Sequence, residues 1–158
     1  MTRAKRSSAT PVAVDLQIAV ADAGVPAAAS FERWVGAALD GRDARRQLVV
    51  RVVGEDESRD LNRRFRHKDK PTNVLSFPFD PVPGIEEAYL GDLVICAPIV
   101  AREAADQHKA GDAHWAHLVV HGVLHLLGYD HADGEQARIM EALEIGILGR
   151  LGYLDPYQ

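Results

Sequence analysis

Apolar and polar positions alternate over residues 12–20 (VAVDLQIAV), the two-residue period of a half-buried strand. The period then changes. Phe31, Trp34, Val35 and Ala38 recur at three- and four-residue spacing, which predicts a helix capped by Ser30 and ending near Gly41. Gln47–Val53 is rich in β-branched residues and reads as a strand. Leu61 and Phe65, four apart within residues 56–66, predict a short amphipathic helix stopped by Lys70 and Pro71. Residues 73–79 (NVLSFPF) predict a strand at a sheet edge, because Pro78 has no N–H to give to a ladder. A loop holding Pro81, Pro83 and Gly84 leads to another strand over residues 91–96. Pro98 suits the first turn of a helix reaching about Lys109, with Gly111 as its breaker and Asp112 as the cap of the next. That next helix, residues 113–127, is the most periodic in the chain, and Gly128 is placed as its left-handed terminus. A last helix runs from Asp133 or Gly134 to about Gly149.

Strands and helices in this irregular order favour an α+β fold, a small mixed sheet covered by about five helices. At 158 residues the chain suits one domain, and residues 11–158 are assigned to it. The first ten residues lack apolar periodicity and read as a flexible tail outside the fold. With 47% hydrophobic and 26% charged residues, the composition suggests neither disorder nor a membrane role. A single cysteine, Cys96, cannot form an internal disulfide, and no secretory leader is evident, so a cytoplasmic location is expected. The net charge of -5 argues against wholesale binding to nucleic acid, but its distribution is uneven. Residues 59–70 hold six Lys or Arg against two Asp, a local basic patch able to guide a polyanion or simply to form a solvated helix face.

The chemistry concentrates in residues 121–131 (HGVLHLLGYDH). His121 and His125 share a helix face one turn apart, so both imidazoles can address one ion, and a sharp turn at Gly128 lets His131 fold back toward them. Three imidazoles at about 2.0–2.1 Å leave a fourth position open, which is the pattern of catalytic rather than structural zinc. One Zn²⁺ per chain is therefore expected on His121, His125 and His131. His117 extends the ladder, but His117 and His125 begin about 12 Å apart along a helix and cannot share the ion. His131 selects the C-terminal pair. His117 is left as a residue behind the ligands, a substrate contact or packed core, and His114 as packed or surface. Zinc peptidases with HExxH place a glutamate base after the first histidine; here that residue is Gly122, which counts against peptide hydrolysis by that route. Three neutral ligands leave the full dipositive charge, favouring an anionic substrate such as a phosphodiester.

The basic segment supplies the complementary half. Arg66 is the preferred phosphate contact, through its planar fork, and the residue expected to stabilise charge during attack at phosphorus; the alternative is a surface salt bridge to Asp69 or another acid. Lys68 and Lys70 add electrostatic attraction for substrate. Thr72, Asn73 and Ser76 suit turn and capping roles, with ligand contact as the alternative.

These motifs, FRHKDKPTNVLSFPF (65–79), LGDLVIC (90–96), HWAHLVVHGVLHLLGYDH (114–131), EALE and LGYLDPY, resemble the YbeY family of bacterial rRNA maturation factors. The resemblance covers most of the chain without departure inside the motifs. It implies a four-stranded central sheet and a metal-dependent, single-strand-specific endoribonuclease, with zinc on the residues matching His121, His125 and His131 and a functional arginine matching Arg66. It also implies roles in 16S rRNA 3′-end maturation and ribosome quality control, with rRNA, the ribosome or its small subunit and assembly factors as partners. Two other readings stay open: a non-catalytic assembly factor whose zinc only fixes the C-terminal helices, and a zinc hydrolase of another substrate.

Overall fold

In the computed structural model, which describes residues 11–21, 24–84 and 87–158, a four-stranded sheet is covered on both faces by helices. The chain runs β1 (Ala13–Ile18), α1 (Ala28–Leu39), β2 (Gln47–Val53), α2 (Glu55–Arg66), β3 (Val74–Pro78), β4 (Tyr89–Cys96), α3 (Ala97–Asp106), α4 (Gly111–Leu126) and α5 (Gly134–Arg150). The expected tail, residues 1–10, lies outside the described residues. Strand order is β1-β2-β4-β3. β1, β2 and β4 are parallel, and β3 joins β4 antiparallel, with Val74 opposite Ile95 and Pro78 opposite Gly91. β3 is thus an edge strand, as its proline requires. Among the described residues no helix is long and apolar enough to cross a membrane.

Alternation along β4 divides the core. Leu93 and Ile95 point into the main cluster with Trp34, Val50, Val119, Val123 and Leu124, while Val94 and Cys96 point the other way to Val53 and Leu75, under Leu61 of α2. Four of the buried residues of α4, Val119, Val120, Val123 and Leu124, are fully shielded from solvent. Each contributes roughly 1.5–3 kcal/mol of transfer free energy, so the helix is anchored mainly by its apolar face.

Three helix termini differ from the sequence expectation. α1 starts at Ala28, with Ala27 as its cap, and Ser30 lies inside the helix. The run Ala27–Ala29 has high helix propensity and extends the helix upstream of the stronger capping residue. α3 stops at Asp106 rather than Lys109. His108 takes φ +55°, and the N–H groups of His108 and Lys109 reach back to the carbonyls of Ala105 and Ala104, closing the helix early. α4 then begins at Gly111, which is its first residue rather than a break, with Ala110 as cap. Asp112 sits in the first turn, where its charge complements the helix dipole, and accepts a 2.8 Å hydrogen bond from Tyr153. The start of α5 agrees with the expectation: Asp133 caps it by accepting from the Gln136 N–H.

Candidate metal centre and basic cleft

Helical spacing puts His117, His121 and His125 along one face of α4. The helix closes with Gly128 at φ +100°, the Gly128 N–H on the His125 carbonyl and the Tyr129 N–H on the Leu124 carbonyl. This pair of bonds requires a left-handed residue, which glycine adopts without strain. The chain reverses there, and His131 returns to the two helical histidines. Candidate ligand atoms of His121, His125 and His131 all lie within 4.8 Å of one another. The Nε2 atoms of His121 and His125 are 3.1 Å apart, close to the roughly 3.3 Å separating two tetrahedral ligands at about 2.0–2.1 Å from one ion. Cys96 is buried in the cluster on the other face of the sheet and is not part of this group.

The donor set has the chemistry a metal ion needs. Burial, and then the neighbouring His121 and His131, push His125 down to about 4, so its imidazole is neutral at ordinary pH and keeps a lone pair. Behind it lies a residue that the sequence reading missed. Glu144 of α5 is completely buried and receives His121 Nδ1 at 2.5 Å on one oxygen and His117 Nε2 at 3.1 Å on the other, where Tyr157 also donates. Burial alone would raise this carboxyl. Hydrogen bonds from His117, His121 and Tyr157 outweigh that effect and hold it at about 2. Burial, together with Glu144, pushes Tyr157 up in turn. The signal was present in the sequence: Met140, Glu144, Ile147 and Leu148 fall on one stripe of α5, so a carboxylate occupies a position that otherwise reads as core.

Of the remaining histidines, His67 and His108 are exposed, His117 forms a second close group with His121 and Glu144, and His114 is packed. His114 is 3% exposed and bonds Glu103 at 2.8 Å through Nε2. Glu103 also receives the Asn73 side-chain amide, so Asn73 fastens β3 to α3. The Ser76 hydroxyl donates to the Gly122 carbonyl, so the Asn73 and Ser76 side chains have structural roles, while Thr72 is held by Ser58 through its backbone and lines the cleft. Gly122 itself marks where α4 crosses β4. A Cβ there would lie 2.8 Å from Leu93 Cδ2, which means that position 122 faces the core and not the histidines.

On the opposite wall, α2 ends at His67 with φ +61° and delivers Arg66, Lys68 and Lys70 to the front of β3. The other arginines of this segment are spoken for: Arg59 pairs with Asp69, and Arg63 and Arg64 pair with Asp60. Asp69 is therefore not the partner of Arg66. Among the described residues Arg66, Lys68 and Lys70 have no ion-pair partner. All three line a cleft of about 840 Å³ that is also lined by His121, His125 and His131. The segment singled out for charge and the segment singled out for metal ligation, 51 residues apart at Lys70 and His121, thus share one depression.

Two comparisons bear on what this cleft serves. The family model described as Endoribonuclease YbeY matches residues 19–152. Among solved structures, the chain is similar to the solution structure of TM1509 from Thermotoga maritima, with a TM-score of 0.56 and 25% identity over 90% of this chain and 99% of that one. The match takes in β2 to α5, both walls of the cleft and the whole histidine turn. The chain belongs to the YbeY endoribonuclease family.

Proposed function

We propose that the protein is a zinc-dependent endoribonuclease that cleaves single-stranded RNA in the cytoplasm. Its setting is rRNA maturation, 16S rRNA 3′-end processing and ribosome quality control, in contact with the small subunit and assembly factors. The observation that carries this reading is the shared cleft, in which three convergent histidines face three cations with no ion-pair partner among the described residues. His121, His125 and His131 would hold the ion. When bound, zinc supplies Lewis-acid stabilisation of a phosphate and a water acidified toward neutral pH.

The chain's own groups account for the rest. Arg66 presents a planar fork to two phosphate oxygens and opposes the charge that grows on them as phosphorus is attacked. Lys68 and Lys70 draw the backbone of the RNA into the cleft and neutralise flanking phosphates. Glu144 and the Gly128 turn keep the imidazoles directed at one point. Because three side chains, and no fourth, converge at this point among the described residues, a purely structural zinc, which takes four protein ligands, is disfavoured. Amide hydrolysis of the HExxH kind is disfavoured too, since position 122 faces Leu93.

The test pairs His125→Ala with Arg66→Glu and follows folding, bound zinc, RNA affinity and cleavage. His125→Ala is expected to lose zinc and cleavage while still binding RNA. Arg66→Glu is expected to keep zinc and lose cleavage by about 10²–10³-fold, the scale of one removed charge-stabilising contact. Folded, zinc-free protein that cuts RNA normally would refute the reading.

A further inference from the structure

We propose that Glu144 is a positioning residue that fixes His121 as the Nδ1–H tautomer and thereby keeps the His121 Nε2 lone pair directed at His125. The proposal rests on the reading of His121 as a metal ligand, and goes beyond it to the group that makes it one.

A neutral imidazole has one N–H, and the nitrogen that carries it is chosen by its partner. Glu144 is wholly enclosed and offers only acceptor oxygens to three neighbours. Oε2 faces His121 Nδ1 at 2.5 Å, and Oε1 faces both His117 Nε2 at 3.1 Å and the Tyr157 hydroxyl. All three must therefore donate. His121 carries its proton on Nδ1 and His117 on Nε2, opposite tautomers one turn apart on the same helix. The far nitrogen of His117, Nδ1, is buried without a hydrogen-bond partner. A bare lone pair is tolerable there, but a buried N–H would be left unpaired, so His117 has no comfortable second tautomer.

This asymmetry predicts what happens when the carboxylate becomes an amide of the same shape. Glu144→Gln offers one oxygen and one NH₂. With the oxygen at the Oε1 position, both His117 and Tyr157 remain satisfied, and the NH₂ faces His121 Nδ1, which must then accept. With the amide turned round, His121 is satisfied, but the NH₂ is aimed at the His117 Nε2–H, which keeps only the longer 3.3 Å contact to the Tyr157 oxygen unless His117 moves its proton to the partnerless Nδ1. The first arrangement satisfies more donors. His121 is thereby forced to the Nε2–H tautomer, with a proton where the ligand lone pair should be. Carboxylates behind metal-bound histidines commonly raise the affinity for the ion by this means.

The experiment uses the full chain, stripped of metal with chelator, labelled with ¹⁵N in histidine, and read by imidazole nitrogen shifts. Zinc affinity is measured in parallel by competition with a chelator of known strength. Wild type is expected to show His121 as Nδ1–H and His117 as Nε2–H. Glu144→Gln is expected to show His121 as Nε2–H and a zinc affinity lower by roughly 10–100-fold. Tyr157→Phe removes one donor without changing the choice, so His121 stays Nδ1–H. Wild-type His121 protonated on Nε2 would overturn the proposal, as would folded Glu144→Gln with the wild-type tautomer and zinc affinity. Should Glu144→Gln fail to fold, the wild-type and Tyr157→Phe spectra decide. Wild type with the stated tautomers but no zinc binding would instead refute the metal reading and leave the role of Glu144 standing.

Discussion

The two walls of the cleft are built on opposite principles. On the α4–α5 wall, His121 has a buried partner, the α4 terminus is locked by two backbone bonds, and Glu144 ties both helices to Tyr157. On the α2–β3 wall, Arg66, Lys68 and Lys70 have no ion-pair partner among the described residues and belong to an exposed stretch. The first wall can hold an ion whose ligands tolerate errors of a few tenths of an ångström. The second can follow a flexible polyanion whose phosphates need charge more than exact placement. Fixed contacts are thus concentrated where coordination of an ion would demand them, and the cationic wall is left without them.

The comparison is broken most severely from inside the rigid wall. Gly122→Glu would restore the HExxH spelling, yet its side chain would run into Leu93, which is fully buried. An uncompensated charge in that position costs about 3–5 kcal/mol. The expected outcome is a large fall in denaturation midpoint with no peptidase activity. A stable Gly122→Glu protein that hydrolyses peptides would show that position 122 faces the ion after all.

Acid sharpens the contrast with a smaller effect. Glu144 is held at about 2, below its ordinary value of 4.5. A depressed carboxyl stabilises the fold above its unfolded pKa and loses that contribution as the pH falls through the folded one, so the window runs from about 4.5 down to about 2. The shift corresponds to roughly 3 kcal/mol. In metal-free protein, the stability difference between wild type and Glu144→Gln is expected to be full above pH 4.5 and to shrink below it. Urea denaturation across pH 3–7 measures this, and a difference independent of pH would mean that the charge of Glu144 stabilises nothing.

The sequence revealed these walls unequally, for physical reasons. His121, His125 and His131 were legible because a helical repeat and one turn glycine suffice to bring them together. β3 was legible as an edge because Pro78 cannot take part in a central ladder. Glu144 shows in the sequence only as a carboxylate on the buried stripe of α5, and its place behind His121 does not show, because that depends on the packing of α5 against α4, which local periodicity does not encode. The caps were misread for a related reason: Ser30 and Asp112 have the right side chains, but the propensity of Ala27–Ala29 and the closure at His108 decided where the helices begin. The pairing of Asp69 with Arg59 rather than Arg66 was equally invisible, since both arginines lie within ten residues of it.

The smallest expected effect belongs to the adaptable wall. Lys68→Ala and Lys70→Ala remove charges with no ion-pair partner among the described residues, so little stability should change, within about 0.5 kcal/mol. Each lysine that neutralises a phosphate releases counterions when RNA binds, so its loss should reduce the slope of log affinity against log salt by about 0.7 for a single strand. Zinc affinity should stay at the wild-type level, because neither residue touches the histidines or Glu144. Fluorescence anisotropy with a short single-stranded RNA at several salt concentrations gives the slope directly. An unchanged slope in both variants would place the RNA backbone elsewhere and leave Arg66 as the cationic contact of that wall, whereas a loss of zinc would show that the two walls are mechanically one.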